Sequence, residues 1–303
     1  MLSILIPVYN YQVVQLVTSL QQQCKQEDIE YEIIALDDTS TRFIEENKHI
    51  STLENCQFIV AENHLGRAKI RNKLAEIATG NFLLFIDADA GVDTSDFIAT
   101  YISSIQKADV VVGGVKYSEQ PPKENALRWY YGTQRECVTA KERNKHPYRS
   151  IVSFNILIKK SVFLQIEFDE NSIDTEKSAY GHEDTLLGLE LKEKSISLLH
   201  IDNSLIHNYG ESDEIFLKNS LIAVEKFVTH PTFRKPNVVE SIKIFKVFNR
   251  CKKNYLTGTL NAFYTLLNRS IKRYLFRPNP SLKLFDLYRL SYLAHFHRKQ
   301  KRD

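Results

Sequence analysis

Phe82-Leu83-Leu84-Phe85-Ile86-Asp87-Ala88-Asp89 constrains this chain more than any other stretch. Five apolar residues run without interruption into two carboxylates spaced i, i+2. Flanked by Thr79-Gly80-Asn81 and Ala90-Gly91, so short a run reads as a strand buried on both faces of a parallel sheet. Alternate residues of an extended segment point the same way. Asp87 and Asp89 therefore present two carboxylates together at the carboxyl end of the strand, the edge where open α/β sheets bind ligands. Close carboxylates repel and call for a cation, and hard oxygen ligands suit Mg²⁺ or Mn²⁺. A strand ending in solvated turn aspartates has the same pattern, and this stretch alone does not separate the two.

The neighbouring sequence repeats the theme. Residues 3–8, 31–36 and 57–61 are further apolar runs, the first ending in Tyr9-Asn10-Tyr11 and the second in Asp37-Asp38-Thr39-Ser40. Between them, residues 13–23 and 67–78 space their apolar side chains as helices do. Strands alternating with amphipathic helices predict right-handed βαβ units, hence an α/β fold with a doubly wound, mostly parallel sheet. Neither a Gly-rich dinucleotide fingerprint nor a Walker-type Gly-Lys-Ser/Thr occurs, which argues against a dehydrogenase or an NTPase.

Taken in order, Ser3 to Asn10, Ala35 to Ser40, Asn63 to Asn72 and Phe85 to Asp89 resemble the family 2 glycosyltransferases. So do Phe168-Asp169-Glu170 and Tyr180 to Leu187. The resemblance covers roughly residues 1–210. It implies the GT-A fold, a nucleotide-sugar donor (a UDP-sugar first) and Mn²⁺ or Mg²⁺ as cofactor. Carried onto this sequence, Asp89 ligates the metal directly. Asp87 contacts the ribose, or the metal through water, beside Ala88. Asp38 accepts a hydrogen bond from the base, whereas Asp37 is a turn or capping residue. Pro7, Val8 and Tyr9 line the base pocket, with Tyr9 as a stacking partner, and Arg71 sits near the nucleotide. His207 completes the metal shell. Asp184 is the base that deprotonates the acceptor and Glu183 positions it, giving inversion at the anomeric carbon. His182 stands where many relatives have a small residue.

Each of these residues also has a plainer reading. Arg71 fits an exposed helix arginine, and His207 a structural histidine at a strand end. Glu183 and Asp184 fit ordinary first-turn acids of the helix expected from Thr185 onward. Trp129 suits sugar stacking or core packing equally well. Residues 116–150, rich in Lys, Arg, Glu and Pro, read as a mobile acceptor-side excursion.

Charge divides the chain. Residues 211–303 hold 19 Lys/Arg against 7 Asp/Glu, a net +12, while residues 1–210 hold 21 against 30, a net −9. This sets the expected boundary: a catalytic domain over 1–210 and a basic helical region over 211–303. In the latter, Ile242, Phe245, Phe248, Tyr255, Phe263, Leu266 and Leu267 recur at roughly helical spacing with Lys and Arg between them. Such helices suit an anionic membrane surface, or a helical cap whose aromatics pack and whose lysines are solvated. Nucleic acid is not expected as a partner, because the sheet half is acidic. No run approaches 18 apolar residues and no signal peptide is evident. Four scattered cysteines without a Cys-x-x-Cys pair read as reduced thiols. The expected protein is an inverting, metal-dependent glycosyltransferase on the inner face of the cytoplasmic membrane. Its expected acceptor is a glycan, lipid-linked, in surface-polysaccharide assembly. A nucleotidyltransferase on a similar sheet and a non-catalytic nucleotide-sugar or membrane-binding subunit are the alternatives.

Overall fold

A computed structural model describes residues 1–122, 124–170 and 181–301; Tyr180 of the acidic motif lies outside them. In chain order the elements are β1 (Leu2–Val8), α1 (Val14–Gln26), β2 (Tyr31–Asp37), α2 (Ile44–Lys48), β3 (Cys56–Val60), α3 (Gly66–Ile77), β4 (Phe82–Ile86) and β5 (Ala90–Gly91). Next come α4 (Phe97–Ile102), β6 (Val110–Val112), β7 (Val115–Lys116), α5 (Ala126–Arg135), α6 (Ala140–Arg143), β8 (Asn155–Lys159), α7 (Lys160–Ile166) and α8 (Glu183–Glu193). The chain continues with β9 (Leu198–His200), β10 (Leu205–His207), α9 (Asp213–Thr229), α10 (Pro236–Ser241), α11 (Lys243–Lys253), α12 (Thr257–Leu275) and α13 (Leu282–Lys299). They form two compact units. The first comprises Met1–Ser118, Glu136–Glu170 and Leu187–Tyr209; the second gathers the described residues of Glu119–Arg135, Asn171–Leu186 and Gly210–Asp303.

The first unit is built on a seven-stranded sheet of order β3-β2-β1-β4-β8-β6-β9. β1 pairs in parallel with β2 and β4, and β2 with β3, as the repeated βαβ pattern predicts. Beyond β4 the direction reverses: β8 is antiparallel to both β4 and β6. The run Asn-Ile-Leu-Ile-Lys of β8 is as apolar as any parallel strand, so its sequence carries no sign of direction. Ile4, Leu5, Ile6, Leu83, Leu84, Phe85 and Ile86 have no exposed surface. The amino-terminal edge is tied by one buried carboxylate. Glu32 accepts hydrogen bonds from the Ser3 hydroxyl (2.6 Å), Thr79 N–H (2.6 Å) and the Thr79 hydroxyl (2.9 Å).

A second sheet, β5-β10-β7, stands at the other edge. β10 runs antiparallel to β5, with His207 opposite Ala90, and parallel to β7, with Ile206 opposite Lys116. The segment 116–150, expected as a mobile excursion, instead carries α5, α6 and a short 3₁₀ turn. Within the first unit, Arg143 anchors α6. Its guanidinium donates to the carbonyls of Val138, Gly113 and Ile201 at 2.9, 3.1 and 2.7 Å.

The second unit is helical. Phe216 and Leu217 of α9, Ile271 and Leu275 of α12, and Leu282, Phe285 and Tyr288 of α13 share a core with Leu127 of α5. Asp213 caps α5 by accepting the N–H groups of Leu127 and Arg128, each at 3.1 Å. The aromatic stripe of the basic region is split. Ile242, Phe245 and Phe248 are buried, the two phenylalanines against Phe227 with ring centroids 4.8 and 5.5 Å away. Tyr255 and Leu266, by contrast, are 91% and 78% exposed. Among the described residues no helix is long and apolar enough to cross a membrane.

Candidate active site

The carboxyl ends of β1, β2 and β4 meet, and each delivers the polar residues that follow its apolar run. Asp38 N–H donates to Val8 O at 2.8 Å, binding the ends of β1 and β2 together. Asp37 is buried and accepts Ser40 N–H at 2.7 Å, the turn role expected of it. Asp38 is buried too. Its carboxylate accepts Leu65 N–H at 2.5 Å and Gly66 N–H at 2.9 Å, so it caps α3 where the helix dipole favours an anion. His64 Nδ1 lies 3.2 Å from the same carboxylate, and its ring stands 5.4 Å from that of Tyr9, which is 56% exposed. Pro7 and Val8 are the last residues of β1. An exposed aromatic, an imidazole and a fixed carboxylate thus share one rim.

Arg71 is a buried residue of α3. Its Nη2 donates to Asp87 Oδ1 and its Nη1 to Arg67 O at 2.9 Å, and the guanidinium lies 5.7 Å from the Phe168 ring. Nε is buried without a hydrogen-bond partner. The exposed-helix reading of Arg71 therefore does not hold. Asp87 is fixed by this pair, and a tight turn follows it, with Ala90 N–H donating to Asp87 O at 3.0 Å.

That turn aims Asp89 at a different partner. Asn208 N–H donates to Asp89 O at 2.8 Å, and His207 Nε2 stands 2.9 Å from Asp89 Oδ2. Burial pushes the Asp89 carboxyl up, but the His207 hydrogen bond, the His207 charge and Arg67 outweigh it and hold the group below the usual carboxylate range. Tyr11 feels the same carboxylate: burial first, then the charge of Asp89, raises its phenol. Beside Ala88 opens a cleft of 510 Å³, lined by Tyr11, Gln15, Ser19, Phe43 and Asn208 among others. Among the described residues its lining includes no carboxylate, amine, guanidinium or imidazole.

Asp87 and Asp89 thus leave one strand end together but are held by different partners. Among the described residues no three His, Cys, Asp or Glu side chains converge as a ready-made metal cage. Asp89 and His207 still offer one oxygen and one imidazole nitrogen at adjacent positions. The carboxylate suits Mn²⁺ or Mg²⁺, which keep waters and take substrate phosphate oxygens beside one or two protein ligands, and the imidazole nitrogen favours Mn²⁺ of the two.

Glu183 and Asp184 open α8 within the second unit. Two left-handed residues precede them, Gly181 at φ +109° and His182 at φ +72°. A Cβ at Gly181 would stand 2.4 Å from Ala223 Cβ, so this turn requires glycine. Lys226 Nζ donates to Gly181 O at 3.1 Å, and Gly181 N–H donates to the Glu183 carboxylate at 3.1 Å. Glu183 is therefore engaged in its own turn. His182 packs 5.2 and 5.9 Å from the rings of Phe245 and Phe233, with Nε2 buried and lacking a hydrogen-bond partner. Burial, helped by Arg289 and Lys226, pushes its pKa down to about 3, so it is neutral.

The model of glycosyl transferase family 2 matches residues 3–166, more than half of the chain. The chain belongs to that family. Among solved structures this family 2 member is similar to S. aureus TarS 1–349 in complex with UDP-GlcNAc. The two are 16% identical, the match covers 99% of this chain and 91% of that one, and the TM-score is 0.52. It is also similar to the mannosyltransferase PcManGT from Pyrobaculum calidifontis in complex with GDP-Man and Mn²⁺. Here identity is 13%, coverage 97% and 85%, and the TM-score 0.60. At these identities the likeness carries the GT-A fold and not the substrate. No curated protein matches the chain.

Sequence reasoning gave little weight to His64 and passed over Tyr11, Arg67, Tyr117 and Glu136. His64 had one available signal, its place directly before the α3 amino terminus. The others act through contacts with residues tens of positions away, which spacing does not report.

Proposed function

We propose that the protein transfers a sugar from a nucleotide diphosphate sugar to a hydroxyl of a glycan acceptor, with inversion at the anomeric carbon. The observation that carries this reading is the Asp89–His207 pair at the carboxyl edge of the sheet, next to the Arg71–Asp87 pair. A divalent cation, Mn²⁺ or Mg²⁺, supplies when bound the positive charge that stabilises the leaving diphosphate. Asp89 and His207 are the residues that hold it. Asp87, kept in place by Arg71, receives the ribose with Ala88 beside it. Asp38, with both oxygens already directed by the α3 amino terminus, keeps lone pairs for a base N–H. Pro7, Val8 and Tyr9 wall the base pocket. Asp184 takes the acceptor proton. Glu183, bound to Gly181 N–H, shapes the turn that presents it. A UDP-sugar is the first donor to test, and a GDP-sugar the second, in view of the ligands of TarS and PcManGT.

We assign catalysis to residues 1–210 and membrane-surface or acceptor contact to 211–303, with the protein peripheral on the cytoplasmic face. The exposed Tyr255 and Leu266, together with Lys252, Lys253, Arg269 and Arg273, support this assignment: apolar side chains to insert and cations to meet anionic headgroups. A lipid-linked glycan is the acceptor such an anchor serves. The experiment is a thermal-shift scan of UDP- and GDP-sugars with and without Mn²⁺, followed by NMR of the product's anomeric configuration. Metal-dependent stabilisation by one donor and an inverted product are expected. A retained configuration would exclude single displacement.

A further inference from the structure

Behind His207 stand two residues with no part in the scheme above. Tyr117 Oη lies 2.8 Å from His207 Nδ1, and the same hydroxyl donates to Glu136 Oε2. The first contact follows from register. β10 and β7 run parallel with Ile206 opposite Lys116, and His207 and Tyr117 are the next residues along the two strands. The imidazole is enclosed by aromatic rings, Phe154 at 5.1 Å, Tyr117 at 5.3 Å and Tyr209 at 5.9 Å between centroids. Its ring plane is set by packing, and its two nitrogens face opposite ways along the line from Tyr117 to Asp89.

A phenol has one proton to give and lone pairs to accept with. With that proton directed to the Glu136 carboxylate, Tyr117 Oη meets Nδ1 as an acceptor. Nδ1 must then carry hydrogen, and Nε2, which donates to Asp89 Oδ2 at 2.9 Å, is the nitrogen that exchanges its proton for a cation. We propose that Tyr117 and Glu136 are positioning residues. They fix the Nδ1–H tautomer of His207 and so reserve Nε2 for the cation that Asp89 shares. The proposal rests on the metal reading given above. Loss of a partner to a metal-bound histidine's other nitrogen costs about 10–100-fold in metal affinity. Glu136 extends the control by one bond: an amide in place of its carboxylate can turn its NH₂ toward the phenol oxygen, so that the phenol donates to Nδ1 and selects the opposite tautomer.

The test titrates Mn²⁺ into the full chain by electron paramagnetic resonance in the presence of UDP or GDP. Wild type is compared with D89A, Y117F and E136Q. Y117F keeps the ring packing and E136Q keeps the side-chain shape, and E136Q carries the test alone should Y117F melt early. Expected are loss of binding in D89A and weakening of about 10–100-fold in Y117F and E136Q. A two-bond ¹H–¹⁵N spectrum with Mg²⁺ and nucleotide adds a signature that packing alone would not move. His207 should show Nδ1–H in wild type and a shift toward Nε2–H in E136Q. Wild-type Mn²⁺ affinity in both Y117F and E136Q, with D89A inactive in binding, overturns the positioning role and leaves the metal reading intact. So does an unchanged tautomer in E136Q. A wild-type chain that binds no Mn²⁺ with either nucleotide overturns both.

Discussion

His207 Nε2 lies 2.9 Å from Asp89 Oδ2 although 118 residues separate them. The contact is a product of the small sheet: β10 pairs with β5 so that His207 faces Ala90, one residue past Asp89. The acid leaves the central sheet in a tight turn and meets its histidine on a separate ladder, with Asn208 N–H donating to Asp89 O at 2.8 Å.

Replacing the proposed base tests the chemistry. Asp184→Asn keeps the side-chain shape but removes proton acceptance, and loss of a general base costs about 10²–10⁴ in rate. Steady-state kinetics should show that drop in kcat, with donor affinity by calorimetry near wild type. Near-normal turnover would move the base elsewhere.

Arg71 is predicted to act through Asp87. Arg71→Ala leaves a partly buried carboxylate without its cation, and an unpaired buried polar group costs about 1–3 kcal/mol. Both the melting temperature and donor affinity should fall. Arg71→Ala with unaltered donor binding would separate this residue from the nucleotide.

Much of this was legible in sequence, and the limit is physical. Apolar runs ending in Tyr9, Asp38, Asp87 and Asp89 marked strands and one rim, because burial on both faces leaves a continuous hydrophobic signature. Strand direction at β8 was not legible, since Asn155–Lys159 satisfies the same burial whichever way it runs. For Arg71, placed near the nucleotide by resemblance, the surface reading stayed open because a helix face gives no sign of the Asp87 carboxylate opposite it. Tyr117 was invisible because its partner His207 comes from a register that only the folded ladder sets, and Glu136 because it meets Tyr117 from the turn after α5. In the basic region, periodicity found the apolar positions but could not sort Phe245, which is buried, from Leu266, which is exposed.

Two buried histidines make stability acid-sensitive. In the first unit, His200 accepts from Arg143 Nη1 at Nδ1 and donates from Nε2 to Pro147 O, both at 2.9 Å. Burial first, then the charge of Arg143, pushes it down to about 4 against the opposing pull of the Pro147 carbonyl. His182 in the second unit is pushed down to about 3. Unfolded histidine has a pKa of about 6.5. Between that value and the native ones the unfolded chain binds protons that the folded chain refuses. This stability is full above about pH 6.5 and is lost progressively as pH falls toward 4. The gap at His200 corresponds to about 3 kcal/mol. His200→Gln retains a donor and an acceptor without titrating, so its melting temperature should fall less between pH 7 and pH 5 than that of wild type. An identical fall in both would refute the assignment.

The membrane assignment is tested by point substitutions, because truncation from residue 240 would remove Phe245, Phe248, Ile271 and Leu275 from the core. Tyr255→Ser with Leu266→Ser should leave the unfolding free energy within about 0.5 kcal/mol of wild type, as exposed substitutions do. The variant should lose co-sedimentation with anionic vesicles at low salt. Lys and Arg contribute about 1 kcal/mol each near such a surface, screened over about 8 Å at physiological salt, so wild-type binding should also fall as salt rises. Wild type that ignores anionic vesicles would point to a soluble glycan or protein acceptor.

Donor binding under metal control is the most direct test of the account. Calorimetry of the full chain with UDP- and GDP-sugars, with Mn²⁺ present and then with excess chelator, should give tight binding of one donor only with the metal. Asp89→Ala should bind that donor as weakly with Mn²⁺ as without it. His207→Ala should retain a weaker metal dependence, since water can fill a vacated ligand position. Undiminished donor binding and turnover in excess chelator would contradict the assignment of Asp89 and His207.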